Sequence, residues 1–193
     1  MTTMYYIPSE ERNRGLNIAF NPASYVHKSH LPSTLCEGYM HFDKFINVWL
    51  FSQFPCFNVC PELRSGEGDV VLNLIVDHWY DLLNAAPLLG AYLLRNKLLS
   101  SPALLMTNGE LLSFISLPLS LEVRINETRE CEDILALGLA IILQIGRHLP
   151  PPLIERLSLI FPKGRSVPDV SAESTAANIN VFRMALRYAH NKL

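Results

Sequence analysis

The sequence predicts a predominantly α-helical protein, built as an irregular compact bundle of short helices. Three observations lead to this fold class. Apolar residues recur at the i, i+3, i+4, i+7 spacing that places side chains on one face of a helix. Residues that start and stop helices bracket several of these segments. The 13 prolines fall mostly between the periodic segments, where each would end one short helix before the next begins.

The composition is that of a chain with a large apolar core. Of 193 residues, 49% are hydrophobic and 18% are charged. A chain of this length can bury one sizeable core, so we expect a single helical domain over residues 16–193. Residues 1–15 are polar, which predicts a flexible N-terminal arm.

Charge and hydropathy exclude several classes of function. The formal net charge is -2, so no basic excess indicates a nucleic-acid partner. The longest apolar run, residues 134–143, is about half the length that spans a bilayer. The N-terminus has no apolar stretch after a basic start, so it does not resemble a secretory signal. We therefore expect a cytoplasmic protein with reduced cysteines, no nucleic-acid partner and no direct membrane insertion.

Two helices are predicted in the N-terminal third. A short helix runs from Pro22 to about His30, because Asn21 is a good N-cap and proline suits the first helical position. An amphipathic helix lies within residues 36–54. Its predicted apolar face consists of Phe42, Phe45, Ile46 and Trp49. Residues 55–68 have turn formers without periodicity and predict a loop.

The densest periodic segment, residues 69–99, is predicted as two helices broken at Pro87. Apolar positions cover all but one narrow face of the first helix, which indicates that it is enclosed on most sides. Arg95 and Lys97 lie in the last turns of the second helix, where cations interact favourably with the helix dipole. A further short helix is predicted over residues 102–107.

Residues 111–121 have an ambiguous pattern. We interpret them as a short helix that stops before Pro118 and is followed by extended chain through Val123 and Ile125. This interpretation allows a minor β element near 117–125. The remaining segments predict helices over residues 128–148, 153–161 and about 172–190, with a loop over 163–171.

The candidate chemical groups form no recognisable site. Cys56 and Cys60 have the spacing of half a zinc site, but a matching second half is missing and neither His41 nor His78 belongs to a paired motif. His27 and His30 end a short helix, where histidine suits the dipole. Cys131 has no local signature of a nucleophile. Nine glycines are scattered without a phosphate-binding loop.

The remaining polar and aromatic candidates have structural explanations. Glu130, Glu132 and Asp133 cluster where a helix N-terminus favours negative charge. Trp49 and Trp79 lie on apolar faces, which favours core positions over interface anchors. We expect no catalytic residue, no metal site and no cofactor. The alternative is a small zinc- or thiol-dependent enzyme that uses Cys56, Cys60 or Cys131 with a histidine.

Four segments carry a family resemblance in the same order along the chain. They are IAFNPASYVH at residues 18–27, the Trp79, Pro87, Tyr92 pattern, the stretch from His148-Leu149-Pro150 to Phe161-Pro162, and ALRYA at residues 185–189. Together they resemble the SctK-type accessory proteins of type III secretion systems, in particular the OrgA/MxiK branch. The positions that carry the resemblance, and that we expect to be structural anchors, are Phe20, Pro22, Tyr25, Trp79, Pro87, Tyr92, Leu149, Pro150, Phe161 and Pro162.

The resemblance implies a non-enzymatic adaptor in the sorting platform beneath the injectisome. Such a protein bridges the cytoplasmic domain of an inner-membrane ring protein to the platform's pod protein, and through it to the stator and the ATPase. Its place is the cytoplasmic face of the bacterial inner membrane. Arg183 and Arg187, on the wet face of the last helix, are the candidate partner-binding residues. A secretion chaperone is a third hypothesis, although such chaperones are usually smaller and acidic.

Overall fold

A computed structural model describes residues 9–38, 43–59, 70–100, 109–126 and 133–191. These residues are predominantly helical, which confirms the predicted fold class. The α-helices are α1 (Ser9–Phe20), α2 (Ser33–Gly38), α3 (Asp43–Gln53), α4 (Val70–Asp77), α5 (Leu82–Leu93), α6 (Arg95–Leu99), α7 (Gly109–Ile115), α8 (Ile134–Ile145), α9 (Pro151–Leu159) and α10 (Ala176–His190). Short 3₁₀ turns occupy Pro22–Ser24, Lys28–His30, Pro55–Asn58 and Trp79–Asp81. Within the described ranges, no helix is both long and apolar enough to cross a membrane.

The chain forms two compact units. Unit 1 contains Met1–Trp79 and Pro150–Lys163, and unit 2 contains Tyr80–Leu149 and Gly164–Leu193. Compactness does not decide how many parts fold independently, so the single domain expected for residues 16–193 stays a prediction. Helix α1 begins at Ser9, so residues 9–15 are helical. The flexible N-terminal arm expected for residues 1–15 stays a prediction. Residues 1–8 lie outside the described ranges.

The core of unit 1 is centred on two aromatic rings. Trp79 is fully buried, and its ring meets that of Tyr25 edge to face, with 5.4 Å between centroids. The Tyr25 hydroxyl donates to the carbonyl of Ile18 at 2.8 Å. An exposed ion pair of 2.9 Å joins Arg14 of α1 to Asp77 at the end of α4. The edge-to-face contact adds stabilisation beyond the apolar area that it buries.

The core of unit 2 is the crossing of α5 and α8. Gly138 of α8 lies against the backbone of Ala86, and Gly90 of α5 lies against the backbone of Ile134. Helix α10 packs on α5, and the buried residues of α10 include Phe182 and Leu186. The two glycines allow the helix backbones to approach more closely than side chains would permit.

Unit 2 also contains a short antiparallel ribbon. Strand β1 (Val123–Ile125) pairs with β2 (Val170–Ala172), with Val123 opposite Ala172 and Ile125 opposite Val170. Strand β1 confirms the minor β element allowed near 117–125. Its partner was not predicted, because residues 163–171 read as a loop. Three residues are too few to show a strand period, and β2 forms because Val170 and Ala172 bury their side chains.

The predicted helix break at Pro87 is wrong. The break lies at His78 and the 3₁₀ turn Trp79–Asp81, and Pro87 is inside α5. Pro87 is the sixth residue of α5, so its missing N–H removes only the bond to Leu83. An interior proline also brings its ring against the carbonyl four residues earlier, here that of Leu83, yet α5 continues through Pro87.

The helix predicted from Pro22 to His30 is also corrected. The segment forms two separate 3₁₀ turns, Pro22–Ser24 and Lys28–His30. Between them the His27 N–H donates to the carbonyl of Leu159 in α9 at 2.8 Å. Because the His27 N–H bonds to α9 in this way, it is not part of a continuous helix from Pro22 to His30.

The other helix boundaries shift by a few residues. Helix α8 starts at Ile134, where the Asp133 side chain accepts from the N–H groups of Leu135 and Ala136. Residues 128–132, where its start was predicted, lie outside the described ranges, as do residues 102–107. Helix α10 starts at Ala176, with Thr175 as its N-cap. On α3, Ile46 of the predicted face is buried, as is Leu50, whereas Phe45 is 62% exposed. The predicted face is therefore only partly the buried one, and its fourth member, Phe42, lies outside the described residues.

Candidate functional site

Cys56 is a structural thiol rather than a reactive one. It lies buried in the turn Pro55–Asn58. Burial raises the pKa of the Cys56 thiol, and the nearby Arg156 guanidinium only partly opposes this shift. A protonated, enclosed thiol is a poor nucleophile and a poor metal ligand. Cys60, Cys131 and His41 lie outside the described residues.

Beside Cys56 lies a fully buried arginine. The Arg156 guanidinium donates to the carbonyls of Pro152 at 3.1 Å and Val59 at 2.8 Å. It also lies over the ring of Phe57, 5.3 Å from the centroid. Among the described residues its Nε has no hydrogen-bond partner. The carbonyls and the ring stabilise the cation, and the contacts fix the turn that contains Cys56 to helix α9.

The two histidines of the H-x-x-H motif are used in local structure. The His27 Nδ1 accepts from the Ser29 N–H at 3.2 Å and so caps the turn Lys28–His30. The His30 Nε2 lies 2.8 Å from the carbonyl oxygen of Phe161. Both rings hold the segment after α1 in place, which agrees with the structural interpretation of this motif.

Asp133, the described member of the acidic cluster at the start of α8, has a structural role. Asp133 caps the helix and forms an ion pair with Arg165. Glu130 and Glu132 lie outside the described ranges. The capping bonds satisfy N–H groups that the helix itself leaves unpaired.

The residues that carry the family resemblance are mostly buried or half-buried. The buried ones are Pro22, Tyr25, Trp79, Tyr92, Leu149 and Phe161, and the half-buried ones are Pro87, Pro150 and Pro162. Phe20 differs from the rest, since it is 56% exposed. Trp49, expected in the core, is half-buried.

Tyr92 shows what such an anchor does. Its hydroxyl lies 2.9 Å from the carbonyl oxygen of Leu117 and accepts from the N–H of Leu119 at 3.0 Å. Its ring meets Phe114 of α7 edge to face. Tyr92 therefore fastens the chain between α7 and β1 to helix α5.

The two candidate partner-binding arginines share one side of α10. Arg183 is half-buried, and Arg187, one turn later, is exposed. In the described part of the chain, neither guanidinium has a salt bridge or hydrogen bond. Their charges are available for contacts with another molecule, but no described contact assigns them that role.

The structure has a polar groove beside the ribbon that was not predicted from the sequence. It has a volume of about 520 Å³ and is lined by Leu121, Glu122, Val123, Arg124, Ser171, Glu173 and Thr175. Next to it, the fully buried side chain of Asn178 accepts from the Glu122 N–H at 2.7 Å. The same side chain donates to the carbonyls of Glu122 at 2.9 Å and Glu173 at 2.8 Å. The only sign of this groove in the sequence is Asn178, a polar residue on the buried face of an amphipathic helix.

A comparison with protein families gives a match along nearly the whole chain. The family model described as bacterial type III secretion apparatus protein (OrgA_MxiK) matches residues 16–191. No curated protein and no solved structure gives a significant match.

Proposed function

The chain belongs to the OrgA/MxiK family of bacterial type III secretion apparatus proteins, and from that membership we propose that it is a non-enzymatic structural adaptor of the sorting platform. It bridges the cytoplasmic domain of the inner-membrane ring protein to the pod protein, and through the pod protein it supports the stator and the ATPase. It works in the cytoplasm, docked at the inner membrane, and contributes to substrate export by protein–protein contacts alone.

The observation that carries this proposal is the extent of the family match, which leaves only the terminal residues outside it. The described side chains agree with an adaptor. Cys56 is buried, and His27 and His30 make hydrogen bonds within the fold. Arg187 and the groove beside the ribbon offer polar surface for contacts with other proteins.

The proposal is tested in the bacterium that encodes the chain. Deleting the gene should abolish type III secretion while leaving the membrane rings assembled. A fluorescent fusion of the chain should form foci at the envelope, and these foci should disappear when the ring protein's cytoplasmic domain is removed. Normal secretion in the deletion strain, or foci that persist without the ring protein, would contradict the adaptor role.

The alternative of a thiol- or zinc-dependent enzyme makes a different prediction. Replacing Cys56, Cys60 or Cys131 by serine should then stop function without unfolding the chain. For the adaptor, the same replacements should leave secretion intact as long as the protein remains folded.

A further inference from the structure

Strand β1 has an outer edge whose backbone groups find no partner within residues 9–38, 43–59, 70–100, 109–126 and 133–191. Arg124 is paired with Ser171, and the Asn126 N–H donates to the Asp169 carbonyl at 2.9 Å. In an antiparallel ladder the inward and outward hydrogen-bonding positions alternate. The N–H and C=O groups of Val123 and Ile125 therefore point away from β2. Among the described residues, no group donates to them or accepts from them.

The two faces of the ribbon differ in chemistry. On one face, Val123 packs against a buried cluster that includes Leu137 and Val170. Ile125, on the same face, is 37% exposed. Arg124 alternates with Val123 and Ile125 and so lies on the other face, and it lines the groove together with Glu122 and Glu173. A strand laid along the outer edge of β1 would have apolar neighbours on one side and charged neighbours on the other.

The ribbon edge is held in place before any partner arrives. The Asn178 side chain bonds both backbone groups of Glu122, the residue just before β1. It also bonds the Glu173 carbonyl, the residue just after β2. An edge fixed in this way loses little conformational entropy when another strand is added.

We propose that the outer edge of β1 binds an extended segment of another protein of the secretion apparatus, which joins the ribbon as an added strand. The backbone groups of Val123 and Ile125 supply the hydrogen bonds. The segment alternates apolar residues, beside Val123 and Ile125, with charged residues on the groove side. Because the groove holds the carboxylates of Glu122 and Glu173 against the single guanidinium of Arg124, a basic side chain is favoured there. The identity of the partner as an apparatus protein rests on the proposed function.

Hydrogen exchange tests the proposal on the full chain. The probes are the ring protein's cytoplasmic domain and the pod protein from the same secretion system, each added in excess. In the free chain, the amides of Val123 and Ile125 should exchange much faster than that of Arg124, which is bonded to β2. One of the two proteins should slow exchange at both outer amides by about tenfold or more.

A matched pair of variants separates the backbone from the side chain. Ile125→Pro removes the outward N–H, and an edge strand tolerates proline when that group does not face the sheet. Ile125→Thr removes apolar surface but keeps the N–H. Ile125→Pro should weaken binding of the protecting protein by about tenfold or more, and Ile125→Thr by much less. If Ile125→Pro fails to fold, hydrogen exchange on the unaltered chain still tests whether a partner binds the outer edge of β1.

The outcomes separate this inference from the adaptor proposal. If a partner binds while both outer amides exchange as in the free chain, the edge inference is overturned and the adaptor proposal stands. If the free chain dimerises and protects these amides itself, the occupant is a second copy, and the inference is again overturned. If neither protein binds, both the adaptor proposal and this inference fail.

Discussion

Gly138 of α8 lies so close to Ala86 of α5 that a methyl group at position 138 would overlap the Ala86 carbonyl oxygen. The contact is reciprocal, because a methyl group at Gly90 of α5 would overlap the carbonyl of Ile134. Unit 2 is therefore organised around a crossing in which the backbones of two helices touch. Neither backbone can yield as a flexible side chain would, so the crossing tolerates no added atoms.

This contact predicts a large effect from a small change. Gly138→Ala should lower the free energy of unfolding by about 1–3 kcal/mol, because overpacking forces the helices apart. Gly109 is the matched control, since an added methyl there meets no heavy atom of the described residues within 4 Å. Gly109→Ala should change the free energy by about 0.5 kcal/mol or less. Urea unfolding of both variants measures the difference, and equal effects would contradict the close crossing.

The family anchors should differ in what they contribute to stability. Trp79 is fully buried and Phe20 is 56% exposed. Trp79→Ala should cost about 3–5 kcal/mol, as truncation of buried aromatic residues does. Phe20→Ala should cost about 0.5 kcal/mol or less. Thermal unfolding compares the two, and a loss for Phe20→Ala as large as that for Trp79→Ala would contradict the exposure of the Phe20 ring.

The pKa of Cys56 predicts slow thiol chemistry. It is raised above its ordinary value of 9.0, chiefly by burial, so the folded chain favours the protonated thiol. The stability that this contributes is fully present below the pKa of the unfolded thiol, and it is lost as pH rises through the folded pKa. At pH 8, alkylation of Cys56 should be about tenfold or more slower in the folded than in the unfolded chain. Mass spectrometry of labelled peptides measures this.

Rapid alkylation of Cys56 in the folded chain would support the enzyme hypothesis. Equal labelling rates in the folded and unfolded chain would contradict the burial of this thiol. Metal analysis of the purified chain supplies the second check, since near-stoichiometric zinc would favour the C-x3-C site over the adaptor.

The arginines of α10 predict a change in binding without a change in fold. Charge reversal at Arg183 and Arg187 should weaken binding of the ring protein's cytoplasmic domain or of the pod protein by about tenfold or more. The effect should shrink at high salt, where exposed charges are screened. Reversal of Lys44 and Lys163, both exposed, is the matched control with the same charge change. Titration calorimetry compares the double variants, and equal binding would exclude the arginines as contacts.

The helical class followed from the sequence because it depends on local signals. Periodicity identified residues 69–99 as mainly helical, but it did not locate the break between α4 and α5. The observed N-caps of α8 and α10, Asp133 and Thr175, were not predicted as caps. The predictions failed where tertiary contacts determined the local backbone structure. Pro87 was taken as a break, although in α5 it costs one hydrogen bond. The second strand of the ribbon exists because Val170 and Ala172 bury their side chains, which the local sequence does not encode.

The functional surfaces could be predicted less well than the fold. The anchors that carry the family resemblance are mostly interior residues such as Tyr25, Trp79 and Tyr92, so the resemblance identifies the fold and the family without marking contacts. The ribbon edge depends on Asn178, whose three backbone hydrogen bonds join residues far apart in sequence. Only the folded chain brings those residues together.

The most direct test of the adaptor role is reconstitution of a complex from three purified proteins. The chain is mixed with the ring protein's cytoplasmic domain and the pod protein, and the masses of the species are measured by size-exclusion chromatography with light scattering. The adaptor role predicts one species that contains all three proteins, and no complex between the ring domain and the pod protein when the chain is left out. A ring–pod complex that forms without the chain, or a chain that binds neither protein, would contradict it.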